Sequence, residues 1–276
     1  MSTPASAAPP RRARLDAFEA VFQVAQLGVK RSLKGWRAVA ALVLALVPAV
    51  LASLVRAGGA DEVSQERFFY GMLSFWQFGI TVPVCALLFA TAFPWPEAEE
   101  GTLTYWFTSP IPRWTVMLGR WLASLVVGSA VLSAGILAIG LPLRTSPEAE
   151  TGAVMRSALA ATLMAFPAYL ALFQLVATRF RWGLVFGVVF AFIENFISIL
   201  SGTIVKLTLI FYVRSLVWPA VPKSSRGAAD DFLRVAEPAS TTASVVTFAV
   251  VAALSLGLSL LLVQIIEYRG RASQPG

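Results

Sequence analysis

The sequence predicts an all-α integral membrane protein of about six transmembrane helices. An amphipathic interfacial helix is expected near the N-terminus, and an outer re-entrant or interfacial helix before the last span. Three observations carry this expectation. Hydrophobic residues make up 57% of the 276-residue chain and charged residues only 13%, against about a quarter charged in soluble domains. Several apolar runs reach the roughly 20 residues that a helix needs to cross a bilayer. Basic residues gather beside those runs, mostly on one side, as cytoplasmic loops rich in Lys and Arg do.

Residues 1–14 are rich in Ala, Pro, Ser and Arg, a composition expected of a disordered tail. Over residues 15–35, Leu15, Phe18, Phe22, Ala25, Val29 and Leu33 recur at helical spacing, with Asp16, Glu19, Gln23, Gln26 and Lys30 between them. This pattern predicts an amphipathic helix. Ahead of a span, such a helix is expected to lie flat on the headgroups, with Lys30, Arg31 and Lys34 toward lipid phosphates.

Residues 36–268 are read as a six-span transmembrane domain, with spans near 36–55, 75–93, 114–141, 154–178, 183–205 and 244–266. Pro167 interrupts the fourth span, where neighbouring helices can satisfy the freed carbonyl. Gly183 and Gly187 are four apart, as are Ser255 and Ser259, a spacing that lets helices approach closely. From residue 183 to 218 the chain stays apolar for about 36 residues, too long for one crossing. Ser201-Gly202-Thr203 offers a break. The stretch from Ile204 to Trp218, stopped by Pro219 and Pro222, is read as the re-entrant or interfacial helix of an outer hairpin segment, 204–240.

Arg11, Arg12, Arg14, Lys30, Arg31, Lys34 and Arg37 lie on the N-terminal side, and Arg113, Arg179, Arg181, Arg269 and Arg271 fall on the same side later. The opposite loops hold Arg56, Arg67 and Arg144. This bias places both termini, including the tail 269–276, in the cytoplasm. The connection 206–242 departs from it with Lys206, Arg214, Lys223, Arg226 and Arg234. Trp36, Trp114, Trp182 and Tyr268 are expected at the inner interface, and Phe68, Phe69 and Tyr70 at the outer one.

Composition also excludes chemistry. The chain has 0 His and a single cysteine, Cys85. That removes histidine acid–base catalysis, His/Cys zinc sites and an intrachain disulfide. The net charge of +7 sits mainly beside the spans. Anionic membrane lipids, not nucleic acid, are therefore the expected partners of that charge. Nothing matches the phosphate-cradling G-x-x-x-x-G-K-[ST] loop.

Two places hold candidate functional residues. Glu194 and Asn195 fall well inside the fifth span, with Ser198 and Ser201 beyond them. An acid at that depth points to a translocation pathway or to a paired site. A hydrogen-bonded structural Glu is the alternative, and both stay open here. The second place is EAEEGTLTYWFTSPIPRWTVMLGR, residues 97–120, between the second and third spans. Pro94 and Pro96 end the second span, and Glu97, Glu99 and Glu100 open a short helix whose positive end carboxylates favour. Leu103, Trp106 and Phe107 supply an apolar face, Ser109-Pro110-Ile111-Pro112 stops the helix, and Arg113 marks the interface.

This stretch resembles the ABC-2 type permease family, the membrane subunits of a class of ABC exporters. The likeness lies in Glu99-Glu100-Gly101-Thr102-Leu103, then Pro110, Arg113 and Leu118-Gly119-Arg120. Thr104, Pro112 and Arg120 depart from the family's usual acidic residue, Ser and Lys. The six-span plan, the N-terminal amphipathic helix and the outer hairpin also look like that family. The resemblance implies a non-enzymatic permease subunit of an ATP-driven exporter with a separate ABC ATPase subunit and a second permease copy or paralogue. No cofactor is expected on this chain; ATP and Mg belong to the partner ATPase. Segment 97–109 would then couple to that ATPase, through Glu97, Glu99, Glu100, Gly101, Thr102, Leu103, Trp106 and Phe107, with Pro110 and Arg113 closing it. The rival readings are a gradient-driven secondary transporter using Glu194 and a non-transport membrane enzyme or assembly factor.

Overall fold

The structure, a computed structural model, describes residues 17–59, 62–100, 111–140, 148–199, 203–233, 235 and 237–266. The expected tails 1–14 and 269–276 lie outside the described residues, as do Gly101, Thr102, Leu103, Trp106, Phe107, Pro110 and Ser201. Among the described residues all regular structure is helical.

Helix α1 spans Ala17–Lys34 and α2 Trp36–Ala57. The second crossing starts earlier than the hydropathy suggests. Helix α3 (Glu62–Gly71), a π-helix (Met72–Thr81) and α4 (Val82–Ala90) follow without a break, and short α5 (Trp95–Glu99) comes after them. Phe69 and Tyr70, expected at the outer interface, are instead buried in the core. Helices α6 (Arg113–Gly140) and α7 (Glu148–Arg179) are the long central pair. Helix α8 spans Gly183–Ile199. A 3-10 turn (Thr203–Leu207), α9 (Leu209–Val217), a second 3-10 turn (Trp218–Ala220), α10 (Arg226–Leu233) and α11 (Thr241–Ile265) complete the order.

Among the described residues five helices are long and apolar enough to cross a membrane: Trp36–Ala57, Gln65–Glu99, Arg113–Gly140, Gly152–Arg179 and Thr241–Ile265. The fifth crossing expected over 183–205 is a shorter helix, α8, of 17 residues. At 1.5 Å per residue it is about 26 Å long, slightly less than the roughly 30 Å hydrocarbon layer. The outer segment is likewise divided into a turn and α9.

The core forms around α4, whose Val82, Cys85, Ala86, Leu87, Phe89 and Ala90 are all buried against α6, α7 and α8. Helix α7 runs through Pro167 without ending and buries Phe166, Tyr169, Leu170 and Phe173. Both small-residue pairs make close contacts. Gly187 faces Leu87, Gly183 backs onto the Ala177 backbone, and Ser259 shares a 3.1 Å hydrogen bond with Thr178. By contrast, only 28% of the α2 crossing and 17% of the α11 crossing is buried. Their outward Val and Leu side chains form the broad apolar surface that acyl chains, and not water, can cover.

Helix α1 packs on α6 through Ala20, Val21, Val24 and Gly28. Phe18, Phe22 and Leu33, the large residues of the predicted face, point outward and stay exposed. Small residues seat the helix because the backbones come very close. A Cβ at Gly119 would lie 2.8 Å from Val24 Cβ and 2.9 Å from the Val21 carbonyl oxygen, and one at Gly28 would lie 2.7 Å from Ala123 Cβ. Gly119→Val is therefore expected to destabilise the protein by about 1–3 kcal/mol through overpacking. Gly257→Ala, where nothing lies within 4 Å, should be neutral or mildly stabilising. Thermal unfolding of the two purified variants checks this, and equal midpoints would remove the close-packing argument.

Candidate functional site

Two buried carboxylates organise the polar chemistry of the bundle. The first is Glu97 on α5, only 2% exposed. Its Oε1 accepts a 2.8 Å hydrogen bond from Arg31 Nη1 on α1 and is ion-paired with Arg120 Nη2 on α6. The Arg120 guanidinium also stacks over the Phe93 ring, 5.7 Å from its centroid. The neighbouring glutamates extend the junction. Glu99 pairs with Arg181 Nε at 3.1 Å and Glu100 with Arg31 Nη2 at 3.6 Å. One acidic turn thus ties together α1, α6 and the corner between α7 and α8.

These contacts differ in weight. The Glu99 and Glu100 pairs are roughly half exposed, and such pairs contribute about 0–1 kcal/mol. The Glu97–Arg120 pair is enclosed, and removing one partner of an enclosed pair leaves the other charge without compensation. Arg31, expected to face lipid phosphates, is instead turned onto the acidic turn. Arg113 stands at the first position of α6.

The second carboxylate is Glu194 on α8, 3% exposed. Eleven residues from Gly183, it lies about 16 Å along the helix, near half the hydrocarbon thickness. Its Oε2 accepts 2.8 Å from the Tyr169 hydroxyl of α7. Its Oε1 accepts from the backbone N–H of Leu209 at 2.6 Å and of Ile210 at 3.2 Å. Those are the first two amides of α9, and Thr208 Oγ1 takes the third, from Phe211, at 3.3 Å. The first amides of a helix have no partner within it, and a carboxylate there also favours the positive end of the helix dipole. Helix α9 therefore begins level with the middle of α8, its first amides held by Glu194 and by its N-cap Thr208.

Asn195 performs a related task. Pro83, at the start of α4, has no N–H to give to the preceding turn. Asn195 Nδ2 donates to the Gly79 carbonyl oxygen at 2.6 Å and to its own helix at Ala191 O, 3.0 Å. A Cβ at 79 would lie 2.5 Å from Asn195 Oδ1 and would push the Asn195 side chain aside. Ser198 Oγ donates within α8 to Asn195 O at 2.7 Å, and its carbonyl accepts from Arg214 of α9 at 3.5 Å. Further along the outer segment, Lys206 Nζ is 2.8 Å from Glu237 Oε2, which holds that exposed carboxyl below its usual range.

Of the residues singled out from sequence, the structure gathers Glu97, Glu99 and Glu100 at one junction and Glu194, Asn195 and Ser198 at another. Arg31, Arg120 and Arg181 at the first junction, and Tyr169 at the second, were not foreseen as their partners. The sequence offers no local signal for these pairs, since Arg31 and Glu97 are 66 positions apart.

Apolar outer faces and polar groups turned inward define a multi-pass α-helical membrane protein. Residues 27–198 match the ABC-2 family transporter protein family. That match covers more than half of the chain, and the chain belongs to this family, whose members are the membrane permeases of ABC-type transporters. It includes both carboxylate junctions up to Ser198 and leaves out α9 to α11. No curated protein matches the chain.

Glu97→Gln keeps the shape of the side chain and removes its charge. It is expected to cost about 3 kcal/mol, the scale for breaking an enclosed pair, and to speed amide hydrogen exchange in α1. Arg31→Gln, at a half-exposed position, should cost less. Equal losses in thermal unfolding would show that Arg120 does not dominate.

At the second junction, Glu194→Gln retains an oxygen for the Leu209 and Ile210 amides and should assemble nearly normally. Glu194→Leu strands two amides and the Tyr169 hydroxyl, at about 1–3 kcal/mol for each unsatisfied group. Size-exclusion yield and thermal midpoint separate the two. A Leu variant as stable as the Gln variant would remove the capping role.

Proposed function

We propose that this chain is the permease subunit of an ATP-driven exporter in the cytoplasmic membrane, with both termini in the cytoplasm. A separate ABC ATPase subunit binds ATP and Mg, and a second permease copy or paralogue completes the pathway. The observation that carries this reading is the acidic turn of α5. It leads directly into Gly101-Thr102-Leu103 and is ion-paired to α1, α6 and the α7–α8 corner. A push on that turn reaches three helices at once.

In this reading segment 97–109 docks on the ATPase. Glu97 serves inside the permease, linking the docked segment to α1 and α6. Glu99 and Glu100, about half exposed, offer charge to the partner. Trp106 and Phe107 seat the segment, and Gly101 permits close backbone approach. Coupling is reciprocal at equilibrium, so substrate alters ATP affinity as ATP alters substrate affinity. The gradient-driven alternative needs Glu194 as a proton site. Its hydrogen bonds to Tyr169 and to the start of α9 favour a positioning task instead.

Co-purification of the permease with its cognate ATPase, together with transport-coupled hydrolysis in liposomes, tests the proposal. Glu99→Lys with Glu100→Lys should weaken association, more so at low salt, because exposed charges are screened as salt rises. Gly101→Trp should release the ATPase or uncouple hydrolysis from transport. If the three changes combined left association, hydrolysis and transport unaltered, segment 97–109 would not be the coupling element.

A further inference from the structure

A cleft of about 170 Å³ opens beside the Glu97 junction, between the start of α2, the turn carrying α5, and the α7–α8 corner. Arg37, Trp95, Glu99, Phe180, Arg181 and Leu184 contribute to its wall. Its charges do not cancel. Two guanidiniums stand against one carboxylate, and that carboxylate, Glu99, is already paired with Arg181 at 3.1 Å. Arg37 is left over. Among the described residues it makes no hydrogen bond or ion pair; its ring contact is Trp36, 5.9 Å from the centroid. Glu100 attracts it and Arg31 repels it at longer range.

The depth of the cleft is marked by aromatics. Trp36 and Trp182, each 67% exposed, flank it in sequence, at the first residue of α2 and just before α8. Exposed Trp residues at helix ends sit at the headgroup level. Beyond the cleft, the face of α8 that continues from Leu184 through Val188 and Phe192 is apolar and exposed. An occupant therefore meets cationic and aromatic groups at one end and bare hydrocarbon surface at the other.

We propose that this cleft binds a phosphate ester, with Arg37 as its principal ligand, and that the ester is the headgroup of an anionic lipid whose chains lie along α8. A guanidinium presents several N–H donors in the plane that phosphate oxygens accept. The aromatic and aliphatic wall accommodates the glycerol backbone, which a free phosphate ion has no use for. The site is independent of the ATP-driven reading. It stands on the membrane location of the chain and on the geometry of this cleft. It also gives a bound lipid a direct influence on the acidic turn, because Glu99 and Arg181 belong to both.

The test uses the full chain purified in detergent, with phosphatidylglycerol as the probe and native mass spectrometry to count bound lipid. Wild type is expected to retain phosphatidylglycerol more strongly than phosphatidylcholine. Arg37→Gln should weaken that retention about tenfold, the equivalent of one charge-assisted hydrogen bond. Lys223→Gln, exposed on the outer segment before α10, should leave it unchanged. Leu184→Trp narrows the mouth from a lipid-facing position and should weaken it without touching a charge. Glycerol 1-phosphate is added as a soluble competitor. Failure to displace the lipid supports the membrane source, while displacement at comparable concentration assigns the same anion site to a soluble phosphate ester. If Arg37→Gln and Leu184→Trp both fold and both hold phosphatidylglycerol as wild type does, the proposal is overturned.

Discussion

A helix that begins inside a membrane has amide groups with no water to turn to, and much of this structure answers that constraint. Helix α9 starts level with the middle of α8, and its first residues, Leu209 and Ile210, are buried. An unsatisfied backbone group there costs several kcal/mol. Glu194 meets two amides of its first turn and Thr208 meets a third. The carboxylate is held in turn by Tyr169, which places α7, α8 and α9 in one hydrogen-bonded unit. The same rule explains Asn195. Pro83 withholds an N–H where the π-helix meets α4, and the residue next to Glu194 donates to the Gly79 carbonyl there. Two adjacent polar residues thus repair two separate breaks in the backbone.

The junction at Glu97 follows a different logic. It lies at the end of the second crossing, where water and headgroups can reach its edges. Ion pairs suit such a place, since charge is affordable there. Only the enclosed Glu97–Arg120 pair carries substantial energy, and the half-exposed pairs around it can exchange partners at little cost. Under the coupling role proposed for the turn, that division would keep it attached while its outer contacts change.

Much of the helical plan was legible in the sequence, because apolar length alone marks a crossing helix. What the apolar profile concealed was the backbone inside those runs. The π-helix over Met72–Thr81 has no compositional mark, and its buried Phe69 and Tyr70 neighbours resemble interfacial aromatics when read along the chain. Helix α1 shows the same limit. Phe18, Phe22 and Leu33 draw the eye as an apolar face, yet Val24 and Gly28 make the contact, since it is the approach of Gly119 that decides which side can dock. The carboxylates were visible as unusual residues. Their roles were not, because Arg31, Arg120 and Tyr169 reach them only through the fold.

The two junctions are joined by the helices they share. Helix α8 begins beside Arg181, which holds Glu99, and carries Glu194 eleven residues on. Helix α7 carries Tyr169 at one junction and ends at the same Arg181 corner. Such packed helices move as rods more readily than they bend, because a close-packed interior resists continuous deformation. A displacement of the acidic turn that tilts the α7–α8 corner therefore also shifts the Tyr169–Glu194 pair. The first turn of α9 depends on that pair, and α9 packs against α11 and the π-helix. The polar groups that hold the first turn of α9 are thus the ones through which movement at the far junction would reach it.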